Sequence, residues 1–199
     1  MHAAPGRSYG RAVPIEIVRG PLVIRSWRET DAEALAAAIA DNLDHLRPFL
    51  PWVADEPVPV EQRRERIKTW NADAENGGDR TVGLFLDGLI VGGSGLHRRL
   101  GPGGLEIGYW VHRDFTRRGI ATSASRALTH AAFESPDIDR VEIHHDAANV
   151  ASRGVPERLG FVLVGEDPRE IKAPAETRVH LIWRVTRRGW QEWTAAHAT

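Results

Sequence analysis

The sequence predicts one domain with a mixed α/β layer fold. Three observations predict it: short strand-like apolar runs outnumber helical stretches, helices fall between the strands, and 199 residues suit a single core. Residues 1–14 read as a flexible lead-in, and no linker or internal repeat interrupts the remainder.

In chain order, residues 22–24 form a first strand-like run, and Thr30-Asp31-Ala32-Glu33 resembles a capping box that opens a helix. Leu35, Ile39, Leu43 and Leu46 recur at helical spacing, so that helix is expected to continue until Pro48 and Pro51 break it. A second, highly charged helix fits residues 60–74, with Ile67 and Trp70 as a thin apolar stripe and Asn76-Gly77-Gly78 as its stop. Residues 81–86 and 89–96 read as a hairpin, because Asp87-Gly88 supplies the positive backbone angles of a tight turn. The turn at residues 101–104 leads into a strand over 105–111. An Ala- and Leu-bearing helix then runs to about Phe133, ending before Pro136. Val141 and Ile143 mark another strand, residues 149–159 a short helix, residues 160–164 a buried strand and residues 179–185 the last one.

Composition removes several classes of function. With 26 Lys+Arg against 27 Asp+Glu the net charge is -1, which provides no long-range attraction to nucleic acid or to an anionic membrane. No apolar run approaches the ~20 residues that span a bilayer, and the N-terminal stretch lacks the apolar core of a signal peptide, so a cytoplasmic location is expected. Zero cysteines exclude a disulfide framework, a thiolate metal site and a cysteine nucleophile.

The most informative stretch follows the strand that carries Glu106 and Trp110. Arg117-Arg118-Gly119-Ile120-Ala121-Thr122 opens a helix directly after it, an arrangement that cradles phosphate. Gly119 lets backbone approach a ligand closely, Ala121 does not block it, and first-turn amides present partial positive charge to an anion. Two arginines add full charges, so a pyrophosphate fits. A second block, Asn149 to Ser152 followed by Arg158-Leu159-Gly160-Phe161, comes about 30 residues later.

These blocks, in this order and separation, resemble the GNAT superfamily of N-acetyltransferases, in particular its RimJ/RimL-like branch of ribosomal-protein N-terminal acetyltransferases. The likeness extends over most of the chain. Leu22-Val-Ile-Arg-Ser-Trp27 and Asn42-Leu-Asp-His-Leu-Arg-Pro-Phe-Leu-Pro-Trp52 are similar to the branch's N-terminal segment, and Glu106-Ile-Gly-Tyr-Trp110 to its core.

The resemblance implies a twisted, mostly antiparallel sheet flanked by helices, with strands splayed at an acyl-CoA cleft. It implies acetyl-CoA, or another acyl-CoA, as cosubstrate and a primary amine as acceptor, with no metal. Arg117, Arg118, Gly119, Ile120, Ala121 and Thr122 would hold the pyrophosphate, and Trp110, Val111 and His112 would pair with the pantetheine arm and offer a backbone donor to the thioester oxygen. Asn149 would hold the pantetheine amide, or serve as a helix N-cap. Thr116 and Ser123 depart from the family pattern, which has Gln or Arg and an acidic residue there.

Many family members carry a Tyr acid at the position of Pro156 here. Ser152, one helical turn earlier on the same face, takes over as the implied general acid for the leaving thiolate, with an ordinary helix-start serine as the plainer alternative. Glu106 is the implied base, set against a structural ion pair. His144 and His145 are adjacent on a strand and point to opposite faces, so they do not share a metal ion. His145, Asp146 and Trp52 are candidates for the acceptor wall. A module that binds acyl-CoA without turnover is the competing function, and the charged second helix and exposed strand edges allow a homodimer.

Overall fold

The computed structural model describes residues 15–198, so the lead-in expected over residues 1–14 lies outside the described residues. Eight strands form one sheet: β1 (Glu16–Arg19), β2 (Leu22–Ser26), β3 (Arg80–Leu86), β4 (Leu89–His97), β5 (Gly104–Val111), β6 (Arg140–Asp146), β7 (Val162–Pro168) and β8 (Val179–Thr186). Their order is β1-β2-β3-β4-β5-β6-β8-β7, antiparallel throughout except for β5 and β6. A parallel pair needs a crossover, and α4 (Ile120–Glu134) supplies it.

The remaining helices are α1 (Ala32–Ala40), α2 (Leu43–Leu46), α3 (Val60–Glu75), α5 (Val150–Arg158) and α6 (Arg187–Ala196). Ala124, Leu128 and Ala132 of α4 and Val155 and Leu159 of α5 share one apolar cluster with Ile107, Ile143 and Trp183. On the opposite face Leu35, Ile39 and Ile67 of α1 and α3 pack with Trp27 and Phe85. The sheet is thus covered on both sides, as a layered α/β fold requires. The predicted hairpin holds, with Asp87 and Gly88 both at positive φ.

Four expectations need correction. The helix read as continuous from the capping box at residues 30–33 to Pro48 is interrupted at Asp41 and Asn42. Asn42 is fully buried there, its Nδ2 donating to the Ala38 carbonyl at 2.7 Å and its Oδ1 accepting the Arg113 amide at 2.7 Å. The helix also starts at Ala32, because Asp31 turns back to accept the Arg28 amide and pair with Arg25. The strand expected to be buried over residues 160–164 starts at Val162 on the outer edge of the sheet, where Val162, Leu163 and Val164 are exposed; apolar character alone cannot distinguish an edge from a core strand. Strand β1 and the C-terminal α6 were not expected. Thr186 caps α6 by accepting the Gly189 amide, and Trp190 anchors the helix in the core.

Candidate active site

The register of the sheet creates the site. Strand β4 stays paired with β5 from His97↔Glu106 to Gly92↔Val111, and β6 stays paired with β8 out to Asp146↔His180. Strands β5 and β6, however, pair only at Gly104↔Arg140, Leu105↔Val141 and Glu106↔Glu142. Beyond Glu106 the sheet therefore opens, with residues 107–111 and 143–146 as its two walls. A cleft of about 1850 Å³ runs through the opening. Single small-molecule sites usually span about 300–1,000 Å³, so two substrates fit here together.

One end of the cleft is built from backbone. After β5 the chain makes a short 3-10 turn (Arg113–Phe115), and Arg117 and Gly119 then take positive φ, 59° and 75°. Gly119 precedes the first helical turn of α4, whose leading amides have no partner within the helix. A Cβ added at Gly119 would meet nothing within 4 Å, so the glycine answers to backbone angle and not to crowding. Arg117, Gly119, Ile120, Ala121, Thr122, Trp110, Val111 and Asn149 all line the cleft.

Arg118 and His112 do not share that position. The Arg118 guanidinium lies over the Phe115 ring, 4.9 Å from its centroid. His112 donates its amide to Val91 at 2.8 Å and accepts the Phe115 amide on its carbonyl at 2.9 Å, so its main chain is already engaged within the fold.

The other end is built from side chains. Alternation along β5 puts Glu106 and Trp110 on the α1/α3 face, whereas Ile107 and Tyr109 join the cluster under α4 and α5. Glu106 is buried, with Oε1 3.5 Å from Arg99 and Oε2 3.8 Å from His144. His144 in turn meets Glu142 through Nε2 at 2.6 Å and Arg169 through Nδ1 at 3.1 Å, while Glu142 is held by Arg184. Trp52, partly exposed, tilts against Trp110 with ring centroids 6.5 Å apart.

Ser152 reaches the opening from the α4/α5 face. The Asn149 side chain accepts the Ser152 amide at 3.2 Å, so Asn149 is the N-cap of α5. Pro156 has no amide hydrogen and leaves the Ser152 carbonyl, four residues earlier, without its helical donor. The Tyr109 hydroxyl donates to that carbonyl at 3.0 Å. Burial pushes the Tyr109 phenol well above its ordinary pKa, so it stays protonated and keeps this bond. Tyr109 went unnoticed in the sequence; Pro156, four residues after Ser152, was its signal.

His145 and Asp146 border the cleft, but their polar atoms serve the fold. Trp183 donates to His145 Nε2 at 3.1 Å, Nδ1 bonds the Asp146 carbonyl at 2.8 Å, and burial lowers the imidazole pKa, keeping the ring neutral. Burial acts to raise the Asp146 carboxyl, but bonds from Ala148 and Thr177 outweigh it and hold the group below its usual value. The two histidines do point to opposite faces, as alternation requires. It is His144 that shares the side of Glu106. Asn42, His97 and Asp79 were also missed; His97 is bonded through Nδ1 to Asp79 at 2.7 Å and lines the cleft.

A family profile described as "Acetyltransferase (GNAT) domain" matches residues 21–162. The chain belongs to the GNAT acetyltransferases. It is 35% identical over 152 residues to YdaF of Bacillus subtilis (strain 168), which is named for ribosomal N-acetyltransferase activity; that match covers 73% of this chain and 80% of YdaF. A solved structure described as an acetyltransferase superposes with a TM-score of 0.81 at 30% identity, covering 88% of this chain and 99% of its own. RimL, the ribosomal L7/L12 α-N-protein acetyltransferase solved in complex with coenzyme A, has the same fold, with a TM-score of 0.77 at 23% identity over 85% of this chain and 96% of that one. As a GNAT member the protein is an N-acetyltransferase, and its ribosomal relatives agree with the RimJ/RimL-like branch read from the sequence.

Proposed function

We propose that this GNAT enzyme transfers acetyl from acetyl-CoA to the α-amine of a peptide or protein N-terminus, with both substrates bound together. The observation that carries the reading is the opening between β5 and β6 beyond Glu106, with a backbone anion cradle on one face and polar side chains on the other.

The residues present fit a CoA donor. Amides 120–122, Gly119 and Arg117 suit a pyrophosphate, and the edge of β5 that β6 leaves unpaired beyond Glu106 suits an amide-bearing arm at Trp110 and Val111. The donor supplies an activated acyl group and a thiolate leaving group. Ser152, oriented by the Asn149 cap and by Tyr109, gives a proton toward that thiolate from the α5 side. Glu106 and His144 face the acceptor, and the Trp52–Trp110 pair excludes water from it.

An α-amine, with a pKa near ~8, is partly neutral at pH 7, whereas deprotonating a lysine near ~10.4 at that pH costs about three units. Protein N-termini therefore make the better acceptors for a site with one modest base, in keeping with the ribosomal relatives. Cytoplasmic residence belongs to the same proposal, and cell fractionation tests it. For the reaction, acetyl-CoA is incubated with peptides carrying free Ser, Ala or Met termini, with acetyl-capped lysine peptides and with small amines. Free thiol release from the uncapped peptides supports the proposal; release only from lysine side chains or small amines overturns the acceptor assignment.

A further inference from the structure

Strand pairing places His97 directly opposite Glu106, and residues opposite each other in an antiparallel pair project from the same face. His97 therefore stands on the acceptor side of the cleft. Its ring lies over two glycines that are themselves register partners, Gly95 and Gly108. Nε2 is 2.9 Å from where a Cβ at residue 95 would sit, so a side chain there would crowd the imidazole, and it is 3.5 Å from one at residue 108, an ordinary contact distance. Gly108 is two residues beyond Glu106, on the wall of β5 that has lost its β6 partner.

The other ring nitrogen is fixed. Nδ1 is 2.7 Å from Asp79 Oδ2, and Asp79 Oδ1 accepts the Arg98 amide at 2.8 Å. The Asp79 amide in turn donates to Asp73 at 2.8 Å, so the loop that carries the carboxylate is itself tied down. Burial acts to raise the Asp79 carboxyl, but the bonds from Arg98 and His97 more than offset that and keep it ionised. An ionised carboxylate on Nδ1 selects the tautomer with hydrogen there and the lone pair on Nε2, over Gly108. The oxygens of Glu106, by contrast, already face Arg99 and His144.

We propose that His97, oriented by Asp79, is the general base that takes the proton of the attacking amine, and that Glu106 orients the acceptor. This rests on the acetyl transfer proposed above. The neutral amine forms its C–N bond to the thioester carbon, the C–S bond breaks with its electron pair leaving on sulfur, and the surplus amine proton passes to Nε2 while the Nδ1 hydrogen remains with Asp79.

The test uses the full chain, acetyl-CoA and a short peptide with a free N-terminal serine. His97→Gln is expected to lower kcat about 100-fold, within the usual range for removing a general base, with acetyl-CoA affinity by calorimetry unchanged. Asp79→Asn is expected to lower kcat about tenfold, as the favoured tautomer is lost. Added imidazole is expected to restore part of the rate to His97→Ala and none to Glu106→Ala, a response that a purely structural histidine would not give. A His97→Gln enzyme with kcat within about threefold of wild type overturns the assignment while leaving acetyl transfer intact. Absence of imidazole rescue overturns it equally, including where His97→Gln fails to fold. A wild-type protein that acetylates no amine brings down both this inference and the parent reading.

Discussion

The two ends of the cleft are made of different material. On the α4/α5 face the candidate groups are mostly main chain, the left-handed Gly119 and the first amides of α4, joined by the Asn149 side chain that caps α5. On the α1/α3 face they are side chains brought together by strand register: His97 opposite Glu106, Glu142 beside Glu106 in the parallel pair, and Trp52 against Trp110. A backbone site depends on local conformation and tolerates most side-chain changes, whereas a side-chain site survives only if several strands keep their alignment. The proposed donor end is thus specified by a short loop, and the proposed acceptor end by the register of several strands.

That contrast is open to direct attack. The largest expected effect beyond His97 is at Gly119, where φ is 75°. A Gly119→Val substitution forces a β-branched residue into left-handed backbone at about 1–3 kcal/mol, so acetyl-CoA affinity should fall roughly tenfold to a hundredfold by calorimetry, with little change in peptide KM. Trp52→Ala probes the opposite end. It should raise peptide KM about tenfold through lost aromatic contact and leave the acetyl-CoA Kd unchanged; an equal change in both constants would mean that the two ends are not separable.

Tyr109→Phe acts between them. The Ser152 carbonyl, already deprived of a helical donor by Pro156, would lose its remaining partner. A cost of about 1–1.5 kcal/mol follows, seen as a Tm lower by roughly 2–5 °C. The smallest effect is in acid. Asp146 has its carboxyl held below the ordinary value in the folded state, so its contribution is complete above the unfolded value near ~3.9 and is lost as pH falls toward the lower, folded one. Urea midpoints of Asp146→Asn should therefore fall below wild type at pH 7 and approach it near pH 3.

The same contrast explains what could be read from the chain. Gly119 with the two arginines before it, and Asn149 followed by Ser152, are each local in sequence, so residue types and order point to the proposed donor end before any strand is placed. The hairpin at Asp87-Gly88 is legible for the same reason. Asn42 was not, because its meaning lies in an amide 71 residues away, at Arg113. His97 and His144 were not either: identifying them needs the antiparallel register of β4 with β5 and the parallel register of β5 with β6. Alternation correctly separated His144 from His145, but which of them faces Glu106 is fixed only when Glu106 is seen opposite Glu142. The exposed β7 misled through composition, since Val162, Leu163 and Val164 read as core while having no strand outside them among the described residues.

Among the described residues, β5 and β6 are the strands that join β1–β5 to the group β6, β8 and β7, and they are in register at three residue pairs. The sheet is mechanically two plates joined along a short spine. A molecule lying in the gap acts as a clasp between plates that otherwise share few bonds, and its effect extends past the atoms it touches. Amide exchange along residues 107–111 and 143–146 is expected to slow in concert when acetyl-CoA is added, as both plates lose the same opening motion.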